Sequence, residues 1–82
     1  MLTDYIKAAM SRAEYEILED DNSFVGTIPG CQGVWANEET QEACRIELQS
    51  ALEDWILVRI NRNLTLPILD GLDLNLSQQE VA

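Results

Sequence analysis

With 82 residues the chain is long enough for one small domain with a modest core. Its hydrophobic share of 46% is that of a globular protein, and no run approaches the ~18–20 apolar residues of a membrane span. Five basic residues stand against fifteen acidic ones, a net charge of −10 that repels a phosphate backbone and argues against direct nucleic-acid binding. The same charge keeps a protein in solution and, in a sharper reading, steers it toward a basic partner. Cys31 and Cys44 are the two cysteines and there is no histidine, so neither a metal-ligand spacing nor a Cys/His catalytic pair can be written. Both cysteines read as reduced packing residues. Met1 to Met10 has neither a basic start nor a long apolar stretch, so it is no secretory signal. A cytoplasmic protein without cofactor or membrane contact is the expectation.

In chain order, Leu2, Tyr5, Ile6, Ala9 and Met10 repeat with helical spacing while Asp4, Lys7 and Ser11 fall on the other side. This predicts a short amphipathic helix with Thr3 as its cap. At that length it is marginal alone and must dock, on the back of a later helix or on a sister subunit. From Ala13 to Leu18 the period becomes two: Tyr15 and Ile17 alternate with Glu14 and Glu16, as in a half-buried strand. Glu19 to Ser23 is a polar turn, and Phe24 to Ile28 a second strand that pairs with the first as a hairpin. Pro29-Gly30 ends it, and Gly33-Val34-Trp35-Ala36 supplies a third strand.

Thr40 to Asn63 then runs without Gly or Pro and is rich in good helix formers. Thr40 is the natural N-cap, with Glu38, Glu39 and Glu42 at the start and Arg59 and Arg62 at the end, as the helix dipole prefers. At 100° per residue Cys44, Leu48, Ala51, Leu52, Trp55 and Val58 form a core-facing stripe. Ile46, Ile56, Leu57 and Ile60 fall roughly opposite, where a surface helix should be polar. Beyond it, Leu64 to Leu69 reads as a fourth strand, held to a sheet edge by Pro67. Asp70-Gly71 turns the chain out, and the last five residues, Gln78 to Ala82, are expected to be disordered.

The expected fold is α+β, a two-layer sandwich: an N-terminal helix, then β-β-β-α-β with one long helix packed on a mostly antiparallel sheet. The divisions are an amphipathic helix over 1–12, the β-β-β-α-β domain over 13–70 and a partly disordered tail over 71–82. Tyr15, Ile17, Phe24, Ile28, Leu48, Leu52 and Trp55 are the expected core.

Within Tyr15 to Pro67 an ordered set of features resembles the HicB antitoxin family of bacterial toxin–antitoxin pairs. They are Glu19-Asp20-Asp21, Phe24-Val25, Ile28-Pro29-Gly30-Cys31, Thr40 opening the helix, Glu42-Ala43, Ala51-Leu52-Glu53-Asp54-Trp55 and Leu66-Pro67. The resemblance implies a partial RNase H-like fold, with the last strand beside and parallel to the first. It also implies binding and neutralisation of HicA, a small basic toxin that cleaves messenger RNA, and self-association as a homodimer or higher oligomer. Two departures stand out. Met1 to Arg12 precedes the usual start, and the twelve residues after Asp70 are too few for the ribbon-helix-helix or helix-turn-helix module that many members use to bind their promoter. The chain is thus similar to a stand-alone member without a DNA-binding domain.

Candidate sites follow. Ile46, Ile56, Leu57, Ile60, Trp35, Leu72 and Leu74 are candidates for a partner or subunit interface, because large exposed aliphatics rarely go uncovered and a half-exposed Trp suits a hot spot. The alternatives are a cover from the N-terminal helix for the helix residues, a core position for Trp35, and a frayed end for Leu72, Leu74 and Leu76. Glu19, Asp20, Asp21, Glu38 and Glu39 are candidates for electrostatic steering. The RNase H resemblance raises a metal-dependent nuclease with Glu14, Glu16, Glu47 and Asp70, but Glu14 and Glu16 bear the alternation of a solvated strand face. The favoured expectation is a non-enzymatic antitoxin that masks a HicA-like toxin protein. The alternative is an oligomeric structural or regulatory protein of the same fold with no toxin partner.

Overall fold

The computed structural model describes residues 1–75. Its elements are α1 (Leu2–Ser11), β1 (Glu14–Ile17), β2 (Phe24–Thr27), β3 (Trp35–Glu38) and α2 (Gln41–Asn61). The strands form one antiparallel sheet in the order β1-β2-β3, and α2 packs across β2 and β3 with α1 beside it. The expected α+β arrangement is therefore present. The disorder expected of Gln78 to Ala82 lies outside the described residues.

Helix α2 starts and stops where its end chemistry directs. Thr40 Oγ1 accepts the Ala43 N–H at 3.1 Å, satisfying one of the orphan donors of the first turn. At the far end Asn63 adopts φ 55°, and the N–H groups of Asn63 and Leu64 donate back to the carbonyls of Ile60 and Arg59. This paired closure is a Schellman motif with Asn in the left-handed position. Helix α1 begins ahead of the expected cap Thr3, with Met1 as an N-cap that makes no side-chain bond.

Four positions a turn apart, Cys44, Leu48, Leu52 and Ile56, form the buried line of α2. Each four-residue step advances about 40° around the helix, so the line winds from the sheet toward α1 and the C-terminal segment. That winding places Ile56, only 2% exposed, inside the core and leaves Val58 at the surface, the reverse of the expected pair. Tyr5 and Ala9 of α1, Ile28, Cys31, Val34 and Ala36 of the sheet side, and Leu66, Leu69 and Leu74 of the C-terminal segment complete one continuous core. Each fully buried Leu, Ile or Tyr contributes roughly 1.5–3 kcal/mol by leaving water. Helix α1 thus docks on its own chain. The buried Cys44 thiol shares its one hydrogen between the carbonyls of Ala36 and Phe24, at 3.5 and 3.6 Å, fixing α2 to β3 and β2.

Three further expectations need correction. The third strand is Trp35–Glu38 rather than Gly33–Ala36: Gly33 sits at φ 96° in a turn where the Val34 N–H donates to the Cys31 carbonyl. The strand runs on because Asn37 and Glu38 pair with Val25 and Phe24, with the Asn37 side-chain amide also donating to the Phe24 carbonyl. Ile17 shares a sheet face with the buried row but stands at its edge, 57% exposed, because α2 does not reach over that corner. Among the described residues Leu64 to Leu69 forms no fourth strand. Its polar backbone is served by side chains instead. Asn75 accepts the Leu66 N–H at 2.7 Å and donates to the Leu66 carbonyl at 3.0 Å, Arg59 donates to Thr65, and Tyr5 donates to Pro67. Asp70 (φ 50°) and Gly71 (φ 79°) then fold the chain back, so that Leu69 and Leu72 exchange both backbone bonds across a two-residue turn. The segment pairs with its own return rather than with the sheet.

Candidate protein-interaction surfaces

Strand register sorts the sheet residues into two faces. Tyr15, Gly26 and Ala36 form a cross-strand row beneath α2, with Ile17, Phe24 and Glu38 in the next row of that face. Glu14, Thr27 and Trp35 form a row on the opposite face, followed by Glu16, Val25 and Asn37. The indole of Trp35 is 62% exposed on that uncovered face, while its neighbours Val34 and Ala36 are buried. The sequence singled out Trp35 but not Glu14 and Thr27 as its row partners. Only the register, which the sequence does not print, joins Glu14 to residues 13 and 21 positions further on.

The row Ile17, Phe24 and Glu38 also brings the steering candidates together. The β1–β2 turn carries Glu19, Asp20 and Asp21 beyond one end of that row, and Glu38 and Glu39 leave β3 at the same end. All are exposed except Glu38, which is half-buried. Hydrogen bonding to Ser23, first from its side chain and then from its N–H at 3.0 Å, holds the Asp21 carboxyl below the usual range. From Ala13 to Cys44 the chain bears Glu14, Glu16, Glu19, Asp20, Asp21, Glu38, Glu39 and Glu42 and no lysine or arginine. Every cation lies on or next to a helix, and Arg12 and Arg45 are paired with Asp70 and Glu42, both at 2.7 Å.

On α2 the candidates divide. Leu57, 61% exposed, and Ile60 lie at the surface with Val58 and Leu64 near the C-terminal end of the helix. Ile46 is exposed too, but stands about three turns away beyond Ser50 and Glu53. Ile56 and Leu74 leave the candidate set, since both are buried: Ile56 by the winding of the core line, Leu74 by the turn that returns it against Leu66 and Leu69. Leu72 is half-buried in the same turn and adds no strand to a sheet edge.

The carboxylates weighed for metal chemistry do not converge. Glu14 and Glu16 lie on the open sheet face, Glu47 on α2 and Asp70 in a turn against Arg12. Among the described residues no three His, Cys, Asp or Glu side chains gather into a group able to hold a metal ion. Burial raises the thiols of Cys31 and Cys44 above their ordinary value, keeping both protonated. No described helix is long and apolar enough to cross a membrane.

Comparison with known proteins places this arrangement. The model of the UPF0150-like family matches residues 4–67, a span that takes in most of α1, the sheet and α2. No curated protein matches the chain. Among solved structures, TTHA0281 from Thermus thermophilus is 41% identical over 89% of this chain and 90% of that one, with a TM-score of 0.83. Because the matched span begins inside α1, the first helix is part of the shared body. The chain belongs to the UPF0150-like family.

Proposed function

We propose that this protein is a HicB-type antitoxin, which binds a small basic RNA-cleaving toxin of the HicA type and neutralises it by covering its surface. The observation that carries the reading is the segregation of charge: the sheet half has eight carboxylates and no cation from Ala13 to Cys44, with an exposed Trp35 on its open face. Such a surface attracts a basic protein through its summed field and offers an aromatic anchor once the two meet. The features resembling HicB, from Tyr15 to Pro67, lie inside the span matched by the family. Masking needs no bond-making group on this chain, and its stoichiometry is set by mutual coverage. Co-expression with the small basic protein of a neighbouring reading frame, followed by affinity capture, tests the proposal. Recovery of a stoichiometric complex and restored growth is expected; a toxic neighbour that is neither captured nor silenced refutes it.

A second reading is favoured by Leu57, Val58, Ile60 and Leu64, which gather exposed aliphatic surface at one end of the molecule. In it the chain is an oligomeric structural or regulatory protein without a toxin. The two readings share self-association through α2, and light scattering after size-exclusion chromatography should show a dimer or larger species. A monomer at micromolar concentration removes the self-association common to both.

A further inference from the structure

Only one face of the sheet is covered. On the other, Glu14, Thr27 and Trp35 lie side by side in register, and all three are exposed. With ~4.8 Å between neighbouring strands, Glu14 and Trp35 flank Thr27 across roughly 10 Å. A shallow concavity of about 590 Å³ opens beside the indole, bounded by Glu14, Val25, Thr27 and the turn from Ile28 to Val34. An exposed indole and a carboxylate on either side of a short threonine, lining one concavity, match a guanidinium, which stacks on indole through one surface and donates from its edge. The chain shows the same stacking elsewhere: the Arg59 guanidinium lies 5.1 Å from the Trp55 ring centroid.

Among the described residues no ion pair brings a cation onto the open face. The ion pairs among the described residues join the N-terminus to Asp4, Arg12 to Asp70 and Arg45 to Glu42, and none involves Glu14 or Glu16. A second copy docked face to face would set Glu14 and Glu16 against their counterparts, with no arginine or lysine on β1, β2 or β3 to relieve them. Charge complementarity therefore selects a cationic partner.

We propose that the open sheet face is the docking site for an arginine-bearing surface of a basic protein, with one guanidinium held between the Trp35 indole and the Glu14 carboxylate above Thr27. The inference rests on the masking reading for who that partner is, and its test separates the two. The isotope-labelled full chain is titrated with a capped tetra-arginine peptide and followed by NMR. Shifts centred on Glu14, Thr27 and the Trp35 indole N–H are expected, with weaker binding by tetra-lysine. Trp35→Ala and Glu14→Lys should each weaken the arginine peptide by about tenfold, and Trp35→Phe by less. Both positions are exposed, so the variants should keep the parent's melting curve. Shifts on the back of α2, or spread evenly over all carboxylates, overturn the proposal. So does a dimer that Trp35→Ala turns into monomer, which would give the face to a second copy. A HicA-type toxin that binds both variants as tightly as the parent overturns the face and leaves masking standing. Peptide shifts at Trp35 and Glu14 in a chain that binds no toxin overturn masking and leave the face standing.

Discussion

The phenol of Tyr5 donates to the carbonyl of Pro67 at 2.6 Å, joining the first helix to the segment beyond the last across 62 residues of sequence. Tyr5 is fully buried, and the bond gives its hydroxyl a partner that water cannot supply there. Burial is also the main reason its ionisation is pushed up from 10.0 to about 12. Tyr5→Phe should cost about 1–2 kcal/mol at neutral pH by leaving the Pro67 carbonyl without this donor. A group with a raised folded pKa stabilises fully below its unfolded value and loses that contribution as pH climbs through the folded one. The Tyr5 contribution should therefore be intact below pH 10 and fade toward pH 12. Urea melts of parent and Tyr5→Phe across that range should converge.

Asn75 performs with one side chain what a neighbouring strand would perform with its backbone. Its amide binds both the N–H and the carbonyl of Leu66 and is itself oriented by Asp73. Asn75→Ala should destabilise the protein by about 2 kcal/mol, since both Leu66 groups lose their partner at once. Hydrogen exchange should quicken first at the Leu66 and Leu69 amides while those of β2 stay protected.

Gly26 lies between Tyr15 and Ala36 directly under α2. A Cβ there would come 3.1 Å from the Tyr15 ring and 3.2 Å from Cys44 Sγ. Tyr15 is half-exposed and can yield, whereas Cys44 is fully buried and tied to two carbonyls. Gly26→Ala should cost about 1–3 kcal/mol, read from a urea melt.

The acidic end of the sheet should govern how fast a basic partner arrives. Reversing Glu19, Asp20, Asp21, Glu38 and Glu39 to Lys should slow association with a HicA-type toxin by at least on the order of tenfold at low salt. The salt dependence of the rate should flatten with it. Stopped-flow kinetics measure both, and an unchanged association rate contradicts steering.

Much of this architecture was legible in the sequence because it is written in local chemistry. Thr40 could be identified as a cap, the Glu14–Ile17 alternation as a strand and the Thr40–Asn63 run as a helix without knowing what each touches. What failed depends on position in three dimensions. Ile56 and Val58 differ by two residues, and only the winding of the core line decides which is buried. Leu64 to Leu69 has strand composition, but its hydrogen bonds go to the side chains of Tyr5 on the first helix, Arg59 at the end of α2 and Asn75 beyond the turn. Trp35 could be read from the sequence as core or as a half-exposed contact, and its 62% exposure rules out the core position, whereas the row that pairs it with Glu14 is a property of the register alone.

The central claim is stoichiometric masking of a basic partner, and inhibition of messenger-RNA cleavage measures it most directly. The protein would be titrated into a HicA-type toxin while RNA cleavage is followed, with the protein alone as a control. The account predicts that cleavage falls in proportion to added protein and stops at a fixed stoichiometric ratio, while the protein alone leaves the RNA intact. Undiminished cleavage in the presence of excess protein, or cleavage by the protein itself, would contradict it.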